Sequence, residues 1–273
     1  MVDLTFEVDL VHGGRWTSLR AGPREWLWRG TAPGRSAVRP GDAFVDAGGL
    51  EECLPTVRGT PDHGHVWSRP WHPPGVVEGP DFALRRDICV VDGAVVAAYT
   101  LTAAPGFRFL WAAHALLDLS PSARVVAPAG VPTRVFPLSG PWSHGPWPAP
   151  LGARLDVCGP DDGTATGAIL TDCPQVTVED GEALTFALAA PGQPVSVALW
   201  RNLRGWPAGD PYRSIGVEPM LGRVFDLAEA GPDDAAVVPA SGTLRWRLTV
   251  TGRRGQPAPN GSAPAAPPAP PAG

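Results

Sequence analysis

Ile88-Cys-Val-Val-Asp-Gly-Ala-Val-Val96 runs directly into Ala97-Ala-Tyr-Thr-Leu-Thr102, and such short β-branched runs recur along the chain. Leu4–Val11, Ala43–Val45, Phe107–Leu110, Arg124–Val126, Arg154–Val157, Gln175–Val178, Leu184–Ala189, Val195–Trp200 and Thr243–Thr251 share that character. Runs of this length bounded by turn residues read as strands. The 33 glycines and 34 prolines supply the boundaries almost everywhere. No long amphipathic helical period is present, and Val224–Ala230 offers at most a couple of turns. Many short strands with few helices predict an all-β chain of antiparallel sheets packed as a sandwich.

The absence of a fixed-period repeat disfavours a propeller or solenoid. We expect one domain over residues 1–254 and a disordered, Pro/Ala-rich tail over 255–273, since that tail carries nothing that could bury a core. The formal charge of −5, with no basic run, gives no reason to expect nucleic acid. All cationic side chains are arginine, so Schiff-base, pyridoxal-phosphate and phosphate-loop lysines are excluded. The N-terminal stretch lacks signal-peptide character, and no apolar stretch is long enough for a membrane span, so a cytoplasmic location is expected. Cys53, Cys89, Cys158 and Cys173 are widely spaced and read as buried free thiols.

Chemistry concentrates in Asp46-Ala-Gly-Gly-Leu-Glu-Glu-Cys-Leu-Pro-Thr-Val57 and Pro61-Asp-His-Gly-His-Val-Trp-Ser-Arg-Pro-Trp71. Acidic, imidazole and indole groups stand there among glycines that permit close backbone approach. Hydroxyl-rich rings with one apolar face want this mixture. Three further segments stand out: Gly13-Gly-Arg-Trp-Thr-Ser-Leu19 with Arg24-Glu-Trp-Leu-Trp28; Trp111-Ala-Ala-His-Ala-Leu-Leu-Asp-Leu119; and Leu199–Pro207 leading into Ser214-Ile-Gly-Val-Glu-Pro-Met-Leu-Gly222.

In this order the segments resemble the aldose 1-epimerase (galactose mutarotase-like) family. The matches are Gly14-Arg15 with Trp26-Leu-Trp28, His63-Gly64, His114-Ala-Leu-Leu-Asp-Leu119 with Asp118 in place of Asn, and Gly216-Val-Glu-Pro219. The resemblance implies a β-supersandwich with a sugar cleft, and interconversion of α and β anomers through the open-chain aldehyde. It makes Glu218 the base and His114 the acid, with His63 binding the substrate. Such chemistry needs a carboxylate and an imidazole on either side of the C1–O5 bond, without metal or cofactor. Trp67, Trp71 and Trp206 are expected as stacking walls; Glu52, Asp62 and Arg69, with Asp46, are candidates for sugar hydroxyls. The family's gripping arginine has no clear counterpart, and Gly41–Val45 stands in its place. The substrate-binding aspartate is also unplaced, with Asp161, Asp172 and Asp210 as candidates. The expected partner is a monosaccharide or sugar derivative; nucleic acid and membrane are not expected, and the oligomeric state is open.

Two rival readings remain. A carbohydrate-binding protein of the same fold would keep the cleft without turnover. A metal-dependent, cupin-like enzyme would use His63 and His65, which share one face if their segment is a strand. Arg69 stands where that pattern wants a Glu, so the metal reading ranks well below the sugar one.

Overall fold

The computed structural model describes residues 1–138 and 141–255. The large sheet runs in the order Leu4–Asp9, Arg15–Ala21, Leu50–Cys53, Trp111–Leu117, Arg213–Leu221, Val195–Leu203, Thr164–Leu170, Pro132–Pro137 and Ser143–Pro146, with Arg24–Glu25 attached to its second strand. The smaller sheet runs Arg124–Val126, Gln175–Asp180, Glu182–Ala189, Thr243–Arg253, Ala94–Ala103, Phe82–Val91 and Val76–Glu78. The paired strands of both sheets are antiparallel. Among the described residues there is no α-helix, and no helix long and apolar enough to cross a membrane.

The expected all-β class is therefore observed, with several local corrections. Ile88–Val96 is not one strand: Asp92 (φ 50°) and Gly93 (φ 79°) form the turn between Phe82–Val91 and Ala94–Ala103. Ala43–Val45 forms no strand, and Arg154–Val157 contributes only a bridge from Val157 to Arg124. The helical signal at Val224–Ala230 shrinks to one 3-10 turn, Leu227–Glu229, where the Asp226 side chain accepts from the Ala228 N–H. The tail expected from 255 onward lies outside the described residues, apart from Gly255.

Period-2 alternation places the core. In Thr243–Arg253 buried and more exposed positions alternate, so one face is apolar and the other meets water. Trp111–Leu117 is instead buried at every position, because loops cover the outer face of the large sheet there. Trp111, Ala113, Ala115 and Leu117 face the inter-sheet core; Ala112 belongs to a second, outer cluster with Cys53, Ile169, Ala198 and Met220.

A polar knot ties the sheets together. Glu52 points inward and is fully buried. Its Oε1 accepts hydrogen bonds from Arg86 Nη1 and the Tyr99 hydroxyl, each at 2.8 Å, and its Oε2 accepts from Trp111 Nε1 at 2.6 Å. Tyr99 also stacks on Trp246 at 5.1 Å and meets Trp111 edge-on at 4.9 Å. Glu52 was expected at a sugar hydroxyl; its oxygens are committed to the core, so it is a structural residue. Glu52→Ala leaves the Arg86 charge buried and unpaired, and should cost about 3–5 kcal/mol in reversible denaturation. A loss below about 1 kcal/mol would show that water or another group replaces the pair.

Candidate active site

Register brings His114 and Glu218 together. The ladder pairs Leu116 with Gly216 and Ala112 with Met220, so the residues midway between, His114 and Glu218, stand across from one another. On the other side His114 pairs with Glu51, and Ala198 pairs with Glu218. Neighbouring positions in such a row project side chains to the same face. The outer face therefore carries Glu51, His114 and Glu218 in sequence, followed by apolar Ala198 and Ile169.

His114 Nε2 lies 4.0 Å from Glu218 Oε1. His114 is 9% exposed and Glu218 3%. Burial pushes the Glu218 carboxyl above its ordinary range, with His114 pulling down and Asp46 pushing further up. Burial holds the His114 imidazolium below its ordinary range, against the raising effect of Glu218. Both imidazole nitrogens of His114 lack a hydrogen-bond partner. Two groups with unspent polar capacity thus adjoin on a covered face.

His63 arrives from a different element. His63 (φ 59°) and Gly64 (φ 75°) both adopt left-handed backbone in a turn, not a strand. The turn is pinned beside Cys53: His65 N–H donates to the Leu54 carbonyl at 2.7 Å, and a Cβ on Gly64 would fall 2.1 Å from that same oxygen. Only glycine fits so close an approach. The expectation that His63 and His65 share a strand face fails for this reason. His63 instead faces His114, with ring centroids 5.0 Å apart. Its Nδ1 lies 3.1 Å from Asp62 Oδ1, without the alignment of a good hydrogen bond.

Phe44 covers this group. Its ring stacks on His63 at 3.5 Å between centroids, lies 5.8 Å from His114, and meets Trp67 edge-on at 4.9 Å. It comes from Gly41–Val45, where the sequence comparison looks for a gripping arginine. Arg35 lies behind, buried, donating to Glu51 Oε1 and to the carbonyls of His12 and Trp67. Burial pushes the Glu51 carboxyl up to about 7, against the lowering effect of Arg35 and Arg15.

The remaining expected residues separate into rim and core. Trp206 is 42% exposed and packs edge-on to Tyr212, whose hydroxyl donates to Asp46 at 2.5 Å and whose ring stacks on Trp28. Asp62 is exposed beside His63, and Arg69 is half-buried nearby in the chain. Trp71 is not a cleft wall: it is buried under the Arg86 guanidinium at 4.4 Å, and its Nε1 donates to the Val66 carbonyl. Trp67 is also buried, donating to the Asp62 carbonyl and backing Phe44. Of the aspartates considered, Asp161 binds Arg204 and Arg213, and Asp172 binds Arg223. Asp46 is the one whose charge acts on both His114 and Glu218. Phe44, Cys53 and Tyr212 adjoin this group without having been expected there, and Glu51 joins it from the acidic stretch that the sequence singles out. Glu51 and Cys53 could have been found from the inward commitment of Glu52, since alternation sends its neighbours outward.

No protein-family model matches this sequence, and no curated protein matches it. Solved structures do match. A galactose mutarotase related enzyme from Lactobacillus acidophilus superposes with a TM-score of 0.64 at 12% identity, covering 93% of this chain and 95% of that one. The chain has the galactose mutarotase-like fold. A galactose mutarotase-like protein from Lactobacillus casei gives a TM-score of 0.58 at 15% identity, with 92% and 97% covered. The Slr1438 protein from Synechocystis gives 0.67 at 12% identity, with 92% of each chain covered. The fold that the short motifs implied is thus observed over nearly the whole mutarotase-like chain.

Because Phe44 is the ring that shields the imidazoles, Phe44→Ala should let water in and return the His114 pKa upward toward the ordinary 6.5. Proton NMR titration of the imidazole C–H signals reads this directly. An unmoved His114 titration would show that another group keeps the site dry.

Proposed function

We propose that this mutarotase-like chain interconverts the α and β anomers of an aldose or sugar derivative by general acid–base catalysis. The observation that carries the reading is the adjoining pair His114 and Glu218, 4.0 Å apart, covered, and without an arginine partner among the described residues. Ring opening requires a base for the proton on the anomeric hydroxyl and an acid for the ring oxygen. Both oxygens are bonded to the anomeric carbon, so two groups this close reach them from one side. Glu218 takes the hydroxyl proton while His114 protonates the ring oxygen, and the C1–O5 bond breaks. Rotation about the adjacent C–C bond presents the other carbonyl face. Closure then returns each proton to its source, so the pair ends as it began.

The surroundings suit a sugar. Phe44 leaves His63 to admit the ring, which His63 then hydrogen-bonds. Trp206 and Tyr212 offer aromatic faces at the rim, and Asp46 and Asp62 supply acceptors for hydroxyls. Apolar Ala198 and Ile169 continue the same face. A sugar-binding protein without turnover is the second reading, favoured by Phe44 standing where a gripping arginine is sought.

Anomer exchange measured by NMR across free and phosphorylated aldoses tests the proposal. Glu218→Gln should slow exchange by about 10²–10⁴-fold while leaving the melting temperature and sugar affinity near wild type. For His114→Asn the loss should be smaller, because water replaces a general acid in part. Parallel loss of stability and activity in Glu218→Gln would make that residue structural. Chemical-shift changes in one sugar without accelerated exchange would establish the binding reading instead.

The pH dependence follows from the two shifts. The working pair holds one proton, so exchange requires Glu218 ionised with His114 protonated. Glu218 is displaced above 4.5 and His114 below 6.5, so the acid limb should move up and the alkaline limb down. The profile should be a bell narrower than the ordinary carboxyl and imidazole values would give. A broad plateau through neutral pH would exclude His114 as the acid.

A further inference from the structure

Beside the acid–base pair stands a thiol that the proposed reaction does not use. Cys53 leaves its strand on the same outer face as His114 and is fully buried. The Pro61–Gly64 turn brings His63 to the same point. The Cys53 sulfur and one nitrogen from each of His63 and His114 all lie within 4.8 Å of one another.

Three independent features point to a ligand there. His114 is buried, with 11% of its side chain exposed, yet neither of its ring nitrogens has a partner among the described residues, although a neutral imidazole always carries one N–H that wants an acceptor. Asp62 Oδ1 stands 3.1 Å from His63 Nδ1, out of hydrogen-bond alignment, and a small ring rotation gives the arrangement in which a carboxylate orients a histidine whose other nitrogen is bound to a metal. Glu218 lies 4.0 Å from His114 and, unlike Glu51 and Glu52, has no arginine partner among the described residues.

We propose that Cys53, His63 and His114 form a three-ligand zinc-binding site whose fourth position is open to water. A thiolate and two imidazoles make a donor set that suits zinc and disfavours calcium or magnesium. The thiolate and the nearby Glu218 carboxylate offset the charge of the dication. Binding breaks the S–H bond, the proton leaves to solvent, and the sulfur lone pair forms the bond to zinc. Tetrahedral zinc sets its ligand atoms roughly 3.3–3.7 Å apart, so side-chain movements of about 1–1.5 Å bring the Cys53, His63 and His114 donors to that spacing. The His114 lone pair that takes zinc is the one that carries a proton in the proposed reaction, so the zinc form cannot perform it. This inference concerns the same residues but holds whether or not the chain turns over a sugar.

The test uses full-length protein stripped with EDTA, and no sugar. Zinc titrated against a chromophoric chelator should bind one ion per chain at this site. Cobalt should give the visible bands of tetrahedral coordination and a near-ultraviolet thiolate-to-cobalt band. His63→Asn should weaken zinc binding by about 100-fold, and Cys53→Ser should remove the thiolate band. Cys89→Ser, at an exposed position, should change neither. Octahedral cobalt without the thiolate band would overturn the proposal, as would zinc affinity unaltered in His63→Asn. If Cys53→Ser does not fold, the wild-type cobalt spectrum and the turn variant decide the matter. Since no readout involves anomer exchange, failure of the sugar reading cannot imitate failure here.

Discussion

Glu52 accepts hydrogen bonds from Arg86, Tyr99 and Trp111 inside a sandwich where no water reaches it. That knot fixes more than the distance between two sheets. A strand's side chains alternate, so holding Glu52 inward forces Glu51 and Cys53 outward on the same four-residue strand. Slipping the register by one residue would bury two outer groups in the apolar core and expose the Glu52 charge away from Arg86. Such a slip is far costlier than any single contact at the outer face. The same argument applies next door, where Trp111 donates to Glu52 and thereby sets His114 outward. The site's geometry is inherited from the core.

What the core does not supply, the turns do. His63 reaches the cluster because the chain doubles back on itself after Cys53, with Gly64 against the Leu54 carbonyl. Phe44 reaches it from an irregular segment whose neighbouring Asp46 is bound to the Tyr212 hydroxyl. The floor of the site thus rests on paired strands, while its cover rests on loops with fewer backbone bonds. That division suits a rigid pair of proton-carrying groups beneath a cover that can exchange places with a ring.

Much of the fold was legible because β-branched runs between turn residues are a local signal. The hairpin at Asp92–Gly93 was misread because the run of valines continues through it, and hydrophobicity alone does not mark a reversal. His114 and Glu218 were legible only through short motifs, since their pairing depends on register between strands about a hundred residues apart in sequence. Tryptophans misled where they stood beside charged motifs. Trp71 has the neighbours of a binding residue, yet its face is taken by Arg86, a residue 15 positions further on. Glu52 misled in the same way. Sequence proximity places side chains near one another along the chain, but alternation and turn geometry decide which face they share.

The outer cluster is read in two ways because protons and metal ions seek the same lone pairs. An imidazole useful as a general acid must exchange a proton readily, and burial moves the Glu218 carboxyl up and the His114 imidazolium down. Movement in those directions eases proton transfer between sugar oxygens. It equally leaves a neutral imidazole and a carboxylate available to a cation. Cys53 tips the comparison, since a thiol contributes nothing to anomer exchange but binds zinc strongly once deprotonated. In the apolar outer cluster that thiol packs as a small hydrophobe, and it also offers a soft donor that serine or alanine would not. The sulfur is therefore the atom that separates a proton-transfer site from one that a metal can also claim.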